Sequence, residues 1–304
     1  MNMQDRYEVK KASGKPIKVS VPGSKSITNR ALLIAALAQG KSVLCGVLFS
    51  DDSRHFLQSL ISLGFPVEVD EDNAVVTITG FGGKIPKTEA EIDVGSAGTA
   101  ARFLTAYLGL SKGNYHILSS EQMKKRPMQE LLTALEELGA EIAYDEECYH
   151  FPFTIGNDGV TRHEVTIDVD KSSQFLSALL ISAVLFKEDF HIHVKGTHGM
   201  AYVQMTIAMM RQFGVTVLEE SPRDFCIPKE AAYEAQEYQI EPDVSAASYF
   251  YAMCPVLHVP AKVLHVHWDS LQGDTQFLHV LEKMGCKSKE ESDGILLLPP
   301  EGKM

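Results

Sequence analysis

Four segments of the chain share one pattern of apolar and polar positions. In each segment, apolar residues recur every three to four positions, a glycine follows, and an extended stretch comes after it. Apolar residues at every third or fourth position are typical of an amphipathic helix, and short apolar stretches bounded by a glycine are typical of strands. The four helix–glycine–strand segments span residues 53–69, 129–144, 204–219 and 275–290.

The glycines of these segments are evenly spaced, and glycine just after the last apolar turn is a helix stop signal. They lie 75, 75 and 71 residues apart along the chain. In order they are Gly64, Gly139, Gly214 and Gly285. A period of this length is too long for a standard solenoid and indicates a repeated α/β subdomain. With strands predicted at 74–80 and 164–170, each unit corresponds roughly to a β-α-β-α-β-β order.

Two further helical segments, 26–40 and 172–186, are apolar on all sides. A helix of that kind is a buried one, because no face of it suits water. We therefore predict an α/β fold in which one helix of each unit lies inside sheets.

The repeats also predict the domain organisation of the 304 residues. Residues 24–241 hold three complete units and are predicted to form one lobe. Residues 1–23 and 242–304 are predicted to form a partial second lobe, to which the strand at 17–22 returns. We therefore expect the chain to be truncated, or to have its partner segment elsewhere. A complete protein with two lobes of unequal size is the alternative.

Composition narrows the function classes. The net charge of −12 argues against a general nucleic-acid binder, which needs a basic face. No apolar run reaches the roughly 20 residues of a membrane span, and the first residues resemble neither a secretory nor a transit signal. We therefore predict a cytoplasmic protein without membrane or nucleic-acid partners. Any anion site must be a local concentration of cations.

Cysteine and histidine positions indicate no metal centre. The five cysteines are dispersed and form no C-x-x-C pair, so reduced thiols are predicted. His191 and His193, like His265 and His267, alternate within predicted strands and so share a strand face. Such a pair is more often a surface feature than a metal site. A metal site at these histidines is the less favoured alternative, and none is predicted.

The segment 21–30 carries the first candidate anion site, where Gly23 precedes the first buried helix. The free N–H groups of a helix start bind anions. Lys25 and Ser26 lie at this start, and Arg30 follows four residues after Ser26 on the same face. A buried arginine needs a carboxylate or phosphate partner, although a helix cap with a structural ion pair is the alternative. A Walker A motif is excluded, because Ser24 separates Gly23 from the lysine.

Three more segments add small, hydroxyl or cationic residues next to predicted helix starts. Segment 93–102 has Gly95 and Gly98 in a turn, where backbone amides can approach an anion. Segment 122–128 has three consecutive cations before Pro127, which is predicted to begin a helix. Segment 170–175 has Ser172 and Ser173, either of which could simply cap its helix. Taken together, these helix starts suit a substrate that carries several negative groups.

These motifs together resemble the 3-phosphoshikimate 1-carboxyvinyltransferase family of enolpyruvyl transferases. The resemblance covers residues 15–294, nearly the whole chain. The segments that carry it read PGSKSITNRA, GSAGTAARFL, KKRPM, DKSSQFLSALL, DVSAASYF and LQGDTQF, in this order. The resemblance implies a fold of two lobes, each with three inside-out α/β units, and a hinge at the strands near Pro22 and Asp243.

The resemblance also implies a reaction and its residues. The family transfers the enolpyruvyl group of phosphoenolpyruvate to the 5-hydroxyl of shikimate 3-phosphate, through a tetrahedral ketal phosphate, and releases phosphate. It uses no cofactor, and the full-length protein is expected to be a monomer. The resemblance includes Gly98, and its presence implies sensitivity to glyphosate. The implied site residues are Lys25 (catalytic, contacting both substrates), Ser26, Arg30, Ser172, Ser173 and Tyr202 for shikimate 3-phosphate, and Gly98, Arg126 and Gln174 for phosphoenolpyruvate.

Two departures from the family pattern bear on these expectations. The run Gly199–Tyr202 lacks a serine that the family often has there, so one phosphate hydroxyl is expected to be absent. The acid and base carboxylates of the family lie beyond the last residue of this sequence, so we expect binding without turnover.

Two alternatives remain. A UDP-N-acetylglucosamine enolpyruvyl transferase should have Lys-Asn in place of Lys25-Ser26 and a cysteine in the loop before Arg126. A non-catalytic sugar-phosphate-binding remnant is the other.

Overall fold

The computed structural model describes residues 14–302, and the chain divides into two compact units. The larger unit is Gly23–Glu241, and the smaller combines Met1–Pro22 with Pro242–Met304. Residues 1–13 and 303–304 of the predicted second lobe lie outside the described residues. The first described strand, β1 (Ile17–Val19), belongs to the smaller unit.

The first subdomain of the larger unit begins with a buried helix. Its elements are α1 (Lys25–Leu37), β2 (Gln39–Cys45), α2 (Asp51–Ser62), β3 (Val67–Asp70) and β4 (Val75–Phe81). Strand β4 lies between β2 and β3 and is antiparallel to both. Ser50 and Ser53 form a reciprocal capping box that fixes the start of α2.

The second subdomain has the complete predicted order, with one short extra helix. Its elements are β5 (Glu89–Asp93), α3 (Gly98–Gly109), β6 (Gly113–Leu118), α4 (Glu121–Lys124), α5 (Gln129–Glu137), β7 (Glu141–Tyr144) and β8 (Phe153–Asn157). The sheet order is β5-β6-β8-β7, with only the β5–β6 pair parallel.

The third subdomain repeats this arrangement. Its elements are β9 (Glu164–Asp168), α6 (Gln174–Ser182), β10 (Phe190–Lys195), α7 (Met200–Gln212), β11 (Leu218–Ser221) and β12 (Asp224–Ile227). The sheet order is β11-β12-β10-β9, with β9 and β10 parallel.

The smaller unit has one described sheet. Its remaining elements are α8 (Val244–Leu257), β14 (Ala261–Leu264), α9 (Gln276–Lys283), β15 (Lys287–Glu291) and β16 (Gly294–Leu298). The sheet order is β1-β14-β16-β15. The predicted return of the amino-terminal strand is confirmed, since Ile17 pairs with Ala261 in parallel register.

The first and fourth repeats obtain their leading strand from a distant part of the chain. The leading strand of the fourth sheet is β1, as described above. The first sheet receives β13 (Glu237–Gln239), which pairs in parallel with β2. In sequence, β1 precedes α1 and β13 precedes α8, although each strand pairs with the sheet of the other repeat. The repeat order is therefore complete in the folded sheets but not along the chain.

The core of the larger unit is built on α1, α3 and α6, which contact one another. All twelve residues of α3 are buried, and so is α1 from Ile27 to Leu37. The prediction of inner helices is therefore confirmed for α1 and α6. It is wrong for the fourth unit, where one side of α8 is exposed. The four predicted helix stops are also confirmed, since Gly64, Gly139, Gly214 and Gly285 have φ values of +92°, +104°, +91° and +96°. Left-handed backbone of this kind strains any residue with a Cβ.

Two helix boundaries differ from the prediction. The helix predicted at Pro127 begins only at Gln129, because the Pro127 carbonyl accepts a hydrogen bond from the Arg102 side chain instead of from the helix backbone. The helix predicted over 172–186 is α-helical for Gln174–Ser182 and then tightens to a 3-10 turn at Ala183–Leu185.

The cysteines are free thiols, as predicted. None of the helices within residues 14–302 combines the length and the apolar character of a membrane span.

Candidate active site

A cavity of about 400 Å³ lies within the larger unit where four helices begin. Helices α1, α3, α6 and α7 all start at its wall. The structure brings together every site residue that the sequence predicted. The cavity is lined by Lys25, Ser26, Arg30, Gly98, Arg126, Ser172, Ser173, Gln174 and Tyr202.

Three of the four helix starts are open toward a ligand. The N-cap residues Ala97, Ser173 and Gly199 make no side-chain capping hydrogen bond. A helix start concentrates free N–H donors and the positive end of the helix dipole. An anion in the cavity would therefore find backbone donors on several sides.

Two lysines of the cavity face carboxylates. The Lys25 ammonium lies 3.3 Å from the Asp52 carboxylate, and the Lys171 ammonium lies 2.7 Å from that of Glu130. About half of the Lys25 side chain and 58% of the Lys171 side chain is exposed. The carboxylates are less exposed, at 25% for Asp52 and 18% for Glu130, so an ammonium group that turns toward a ligand leaves a partly buried carboxylate behind.

Arg30 is buried and joins three helices. Its Nε donates to Thr206 Oγ1 at 2.7 Å, and its Nη1 donates to the Ser26 carbonyl at 2.9 Å. Its Nη2 donates to Ser177 Oγ at 3.4 Å and to the Tyr202 carbonyl at 3.3 Å. Burial lowers the pKa of Arg30 to about 10, which leaves it charged at neutral pH. The partners within the protein are therefore hydroxyls and carbonyls, and of the predicted carboxylate or phosphate partner no carboxylate is among them.

Arg102 plays the corresponding part at the start of α3. Its Nη1 donates to Gln174 Oε1 at 2.6 Å and to the Gly98 carbonyl at 3.3 Å, and its Nη2 donates to the Pro127 carbonyl at 3.0 Å. Burial, reinforced by the charge of Arg126, lowers the pKa of Arg102 to about 10. Arg102 thus fixes one amide and two turns of the cavity wall from behind.

Gln174 is held from both ends of its amide. Besides the bond from Arg102, its Nε2 donates to Thr99 Oγ1 at 3.1 Å. The carboxamide is therefore oriented before any ligand arrives, which is a requirement of a rigid binding site.

Gly98 permits the close approach of Arg126. A Cβ built on Gly98 would lie 2.1 Å from Arg126 Nη1, well inside contact distance. Within the described residues, the Arg126 guanidinium has neither a hydrogen bond nor an ion pair to a protein group. This makes it the cation of the cavity with the most donors to offer.

Gly199 has a similar role opposite Ser173. It adopts the left-handed conformation with φ of +68°, and a Cβ on it would lie 2.5 Å from Ser173 Oγ. The serine that the family often has in the run Gly199–Tyr202, and that this chain lacks, would have no obvious place here. Ser172 Oγ meanwhile accepts a 3.3 Å hydrogen bond from the Gln174 backbone.

Charge in the cavity is strongly unbalanced. Four cations line it, and among the lining residues Asp52 alone is a carboxylate. The cations are Lys25, Arg30, Arg126 and Lys171. In a chain of net charge −12 this local excess attracts anions, because walls of low dielectric strengthen the field.

Sequence reasoning missed several residues of this wall. They are Asp52, Thr99, Lys171, His198 and Gly199 in the lining, and Arg102 behind it. Arg102 had a usable signal, since it follows Gly98 by four residues as Arg30 follows Ser26. Asp52 had none, because it arrives from the start of an ordinary amphipathic helix.

Comparison with known proteins gives this cavity a context. The sequence model of EPSP synthase (3-phosphoshikimate 1-carboxyvinyltransferase) matches residues 10–303. The chain belongs to the EPSP synthase family. The resemblance stated from the sequence motifs is thereby confirmed.

Curated relatives agree with this assignment. The chain is similar to the 3-phosphoshikimate 1-carboxyvinyltransferase of Nostoc punctiforme, with 41% identity over 90% of this chain and 65% of the relative. It is similar to that of Trichormus variabilis, with 42% identity over 93% of this chain and 67% of the relative. The chain thus spans about two thirds of the length of these EPSP synthase family members.

Solved structures support the fold. EPSP synthase from Acinetobacter baumannii matches with a TM-score of 0.78 and 21% identity, covering 94% of this chain and 64% of that one. The predicted enolpyruvyl transferase fold is therefore confirmed. The UDP-N-acetylglucosamine enolpyruvyl transferase alternative is not favoured, since the matching relatives are named for the shikimate enzyme.

Proposed function

We propose that the cavity binds shikimate 3-phosphate and phosphoenolpyruvate, the substrates of 3-phosphoshikimate 1-carboxyvinyltransferase. The observation that carries the proposal is the gathering of four cations and open helix starts around one small cavity. Both substrates are small polyanions, and a cationic wall with fixed donors suits them. Family membership supports the identity of the substrates, and the resemblance of the motifs supports the division of roles between the residues.

The donors separate into two groups. Lys25, Ser26, Ser172, Ser173 and Tyr202 form the shikimate 3-phosphate side, with Lys171 added from the structure. Gly98, Arg126 and Gln174 form the phosphoenolpyruvate side, where Arg102 positions Gln174 from behind. Arg30 lies beneath both groups, and most of its donors already bind protein atoms. We assign it to positioning and to long-range attraction rather than to direct contact.

The reaction is addition followed by elimination. The 5-oxygen of shikimate 3-phosphate bonds to C2 of phosphoenolpyruvate, its proton leaves, and C3 gains a proton, which gives a tetrahedral ketal phosphate. Loss of a C3 proton and of phosphate then yields the enolpyruvyl ether. Lys25, which the family resemblance assigns to both substrates, stabilises the negative charge of both.

The proton transfers need a group within hydrogen-bond reach of the hydroxyl or of C3. We assign them to no residue of this cavity, because Asp52 is its one carboxylate within the described lining and it faces Lys25. We further propose that the protein acts in the cytoplasm, as a monomer and without a cofactor.

Calorimetric titration with shikimate 3-phosphate at low salt tests the proposal. Saturable heat is expected for the wild type and its loss for Lys25→Ala, with Lys41→Ala as the matched control outside the cavity. UDP-N-acetylglucosamine should give no heat. The assignment is contradicted if the folded wild type does not bind shikimate 3-phosphate. It is also contradicted if Lys25→Ala binds shikimate 3-phosphate as tightly as the wild type.

A phosphate-release assay with both substrates addresses turnover separately. Release would place the proton-transferring groups within this chain. Binding without release would leave a binding role alone, which is the non-catalytic alternative.

A further inference from the structure

The outer face of the third sheet gathers a histidine, a cysteine and a glutamate that the proposed function does not use. His191 on β10 and Cys226 on β12 are register partners on adjacent strands. Glu220 comes from β11, the next strand, at the point where its register with β12 shifts. Such an irregularity redirects a side chain. Three neighbouring strands therefore present three different ligand groups in one row.

The distances suit a small divalent ion. His191 Nε2 lies 3.9 Å from Cys226 Sγ, and His191 Nδ1 lies 3.6 Å from Glu220 Oε2. One ligand atom from each of the three residues falls within 4.8 Å of the others. Tetrahedral zinc, with its usual bond lengths of about 2.0–2.3 Å, holds its ligand atoms about 3.4–3.6 Å apart. The 3.6 Å contact uses the ring nitrogen that faces away from the thiol, so the three ligand atoms of one site are separated by up to 4.8 Å and must draw together by about 1 Å to hold zinc.

The exposed carboxylate of Glu220 allows the three ligand groups to meet at one ion. Cys226 is almost completely buried, with 5% of its surface exposed, and so provides a fixed point. The Glu220 side chain is 52% exposed and can swing its carboxylate toward the nitrogen that faces the thiol. His193, two residues along β10 on the same face, is already bound to Asp224 at 2.7 Å and stays outside the site.

We propose that His191 Nε2, Cys226 Sγ and Glu220 form a Zn²⁺ site on the outer face of this sheet. A thiolate and an imidazole select zinc over the hard ions Mg²⁺ and Ca²⁺. Three protein ligands leave the fourth tetrahedral position to water. The thiol proton passes to solvent as the Zn–S bond forms, because the thiolate is the ligand.

Bound zinc would tie β10, β11 and β12 together, because each of these three strands supplies one of its ligands. It would therefore stabilise the folded state in proportion to its occupancy.

Cobalt titration of the reduced full chain provides the test. Co²⁺ occupies zinc sites and gives a near-ultraviolet charge-transfer band when a thiolate coordinates it. We expect a saturable band at one equivalent, which one equivalent of Zn²⁺ abolishes. Cys226→Ser should eliminate the band, whereas Cys148→Ser, at an exposed cysteine of another segment, should keep it.

Two further variants keep the test decisive if Cys226→Ser folds poorly. Glu220→Gln at an exposed position should weaken Co²⁺ binding at least about tenfold, since even outer-shell partners are worth that much. His193→Ala should leave the affinity unchanged. The proposal is wrong if no thiolate band appears at millimolar Co²⁺, if the band survives Cys226→Ser in folded protein, or if Glu220→Gln binds as well as the wild type.

Discussion

Helices α3 and α8 have similar compositions and opposite surroundings. Both are rich in alanine, aromatic and aliphatic residues. Every residue of α3 is buried, because α1 and α6 contact it within the larger unit. On α8, Val256 and Tyr249 are 77% and 73% exposed, and Met253 and Leu257 are each 40% exposed.

Apolar composition therefore predicts a buried helix only when other elements are available to pack against it. One side of α8 does have partners: Val244, Ala247, Tyr251 and Cys254 pack against the sheet of the smaller unit. No second inner helix covers its other side within the described residues. The remaining apolar face has the character of an interaction surface.

The starts of the two helices also differ. The Asp243 carboxylate caps α8 by accepting a 2.9 Å hydrogen bond from the Ala246 backbone. A negative cap occupies the donors that an anionic ligand would need and repels it. The start of α3 has no side-chain cap and faces Arg126 instead. An uncapped helix start and tight packing thus occur together at α3, whereas α8 has a capped start and a partly exposed apolar face.

Alanine substitution should give the largest difference between α3 and α8 in the free energy of unfolding. Leu104→Ala removes a fully buried side chain of α3 and should lower the free energy of unfolding by about 2–5 kcal/mol. Val256→Ala on α8 should change it by less than about 0.5 kcal/mol. Urea denaturation followed by circular dichroism measures both. Leu278→Ala, buried in the smaller unit, is the control and should behave like Leu104→Ala. Similar losses for Leu104 and Val256 would mean that α8 is covered in solution.

A second pair of substitutions compares equivalent positions along α1 and α8. Arg30 and Tyr249 each follow their N-cap residue by six positions. Arg30→Leu keeps an apolar body but removes the donor to four acceptors, two of them in buried and two in part-buried hydrogen bonds, which should cost about 1–3 kcal/mol. Tyr249→Leu should cost under about 0.5 kcal/mol. The same denaturation experiment measures both variants. If Arg30→Leu leaves the free energy of unfolding unchanged, the hydrogen bonds of Arg30 only offset the cost of burying its charge.

The sequence was sufficient for features that depend on local chemistry. The helix stops at Gly64 and Gly139 follow from backbone conformation, which a single residue type reports. The apolar run of α1 predicts burial because no other environment suits it. The nine predicted cavity residues came from motifs at helix starts and from a family resemblance, and they do share one cavity.

Features that depend on distant contacts were out of reach. Arg102 bonds to Gln174, 72 residues away, and to Pro127, 25 residues away, and the second bond delays the start of α5. Asp52 approaches Lys25 through packing of α2 on α1. The row of His191, Glu220 and Cys226 depends on a register shift that no periodicity encodes.

The open start of α3 can be tested by adding one methyl group. In Gly98→Ala the new Cβ would overlap the Arg126 guanidinium and displace it. Phosphoenolpyruvate binding in the presence of shikimate 3-phosphate should weaken about tenfold, equal to about 1.4 kcal/mol. Binding of shikimate 3-phosphate alone should change less than about twofold. Gly159→Ala, where the added methyl meets nothing within 4 Å, is the calorimetric control. Equal affinities for Gly98→Ala and Gly159→Ala would remove Arg126 from the site.

On the outer faces of the sheets the two units are alike, because each has a cation between two carboxylates. His116 on β6 lies between Glu91 and Asp145, at 2.9 and 3.0 Å. Lys262 holds the corresponding place on β14 between Glu291, at 2.7 Å, and Asp293. The two cations differ in when they lose their charge. The hydrogen bonds that the imidazole donates to Glu91 and Asp145 raise the pKa of His116 above its ordinary value of 6.5, whereas lysine stays charged throughout the neutral range.

A raised histidine pKa means that the folded state holds the proton more tightly than the unfolded state. The stability from His116 is therefore fully present below about pH 6.5 and is lost as the pH rises through the raised value. His116→Gln should lower the free energy of unfolding by less than about 1 kcal/mol at pH 5.5, and the loss should disappear by pH 9. Lys262→Gln should give a small loss that stays constant over this range. Urea midpoints at both pH values measure the two effects. A loss that is equally constant for His116→Gln would mean that its carboxylate neighbours do not hold the proton in solution.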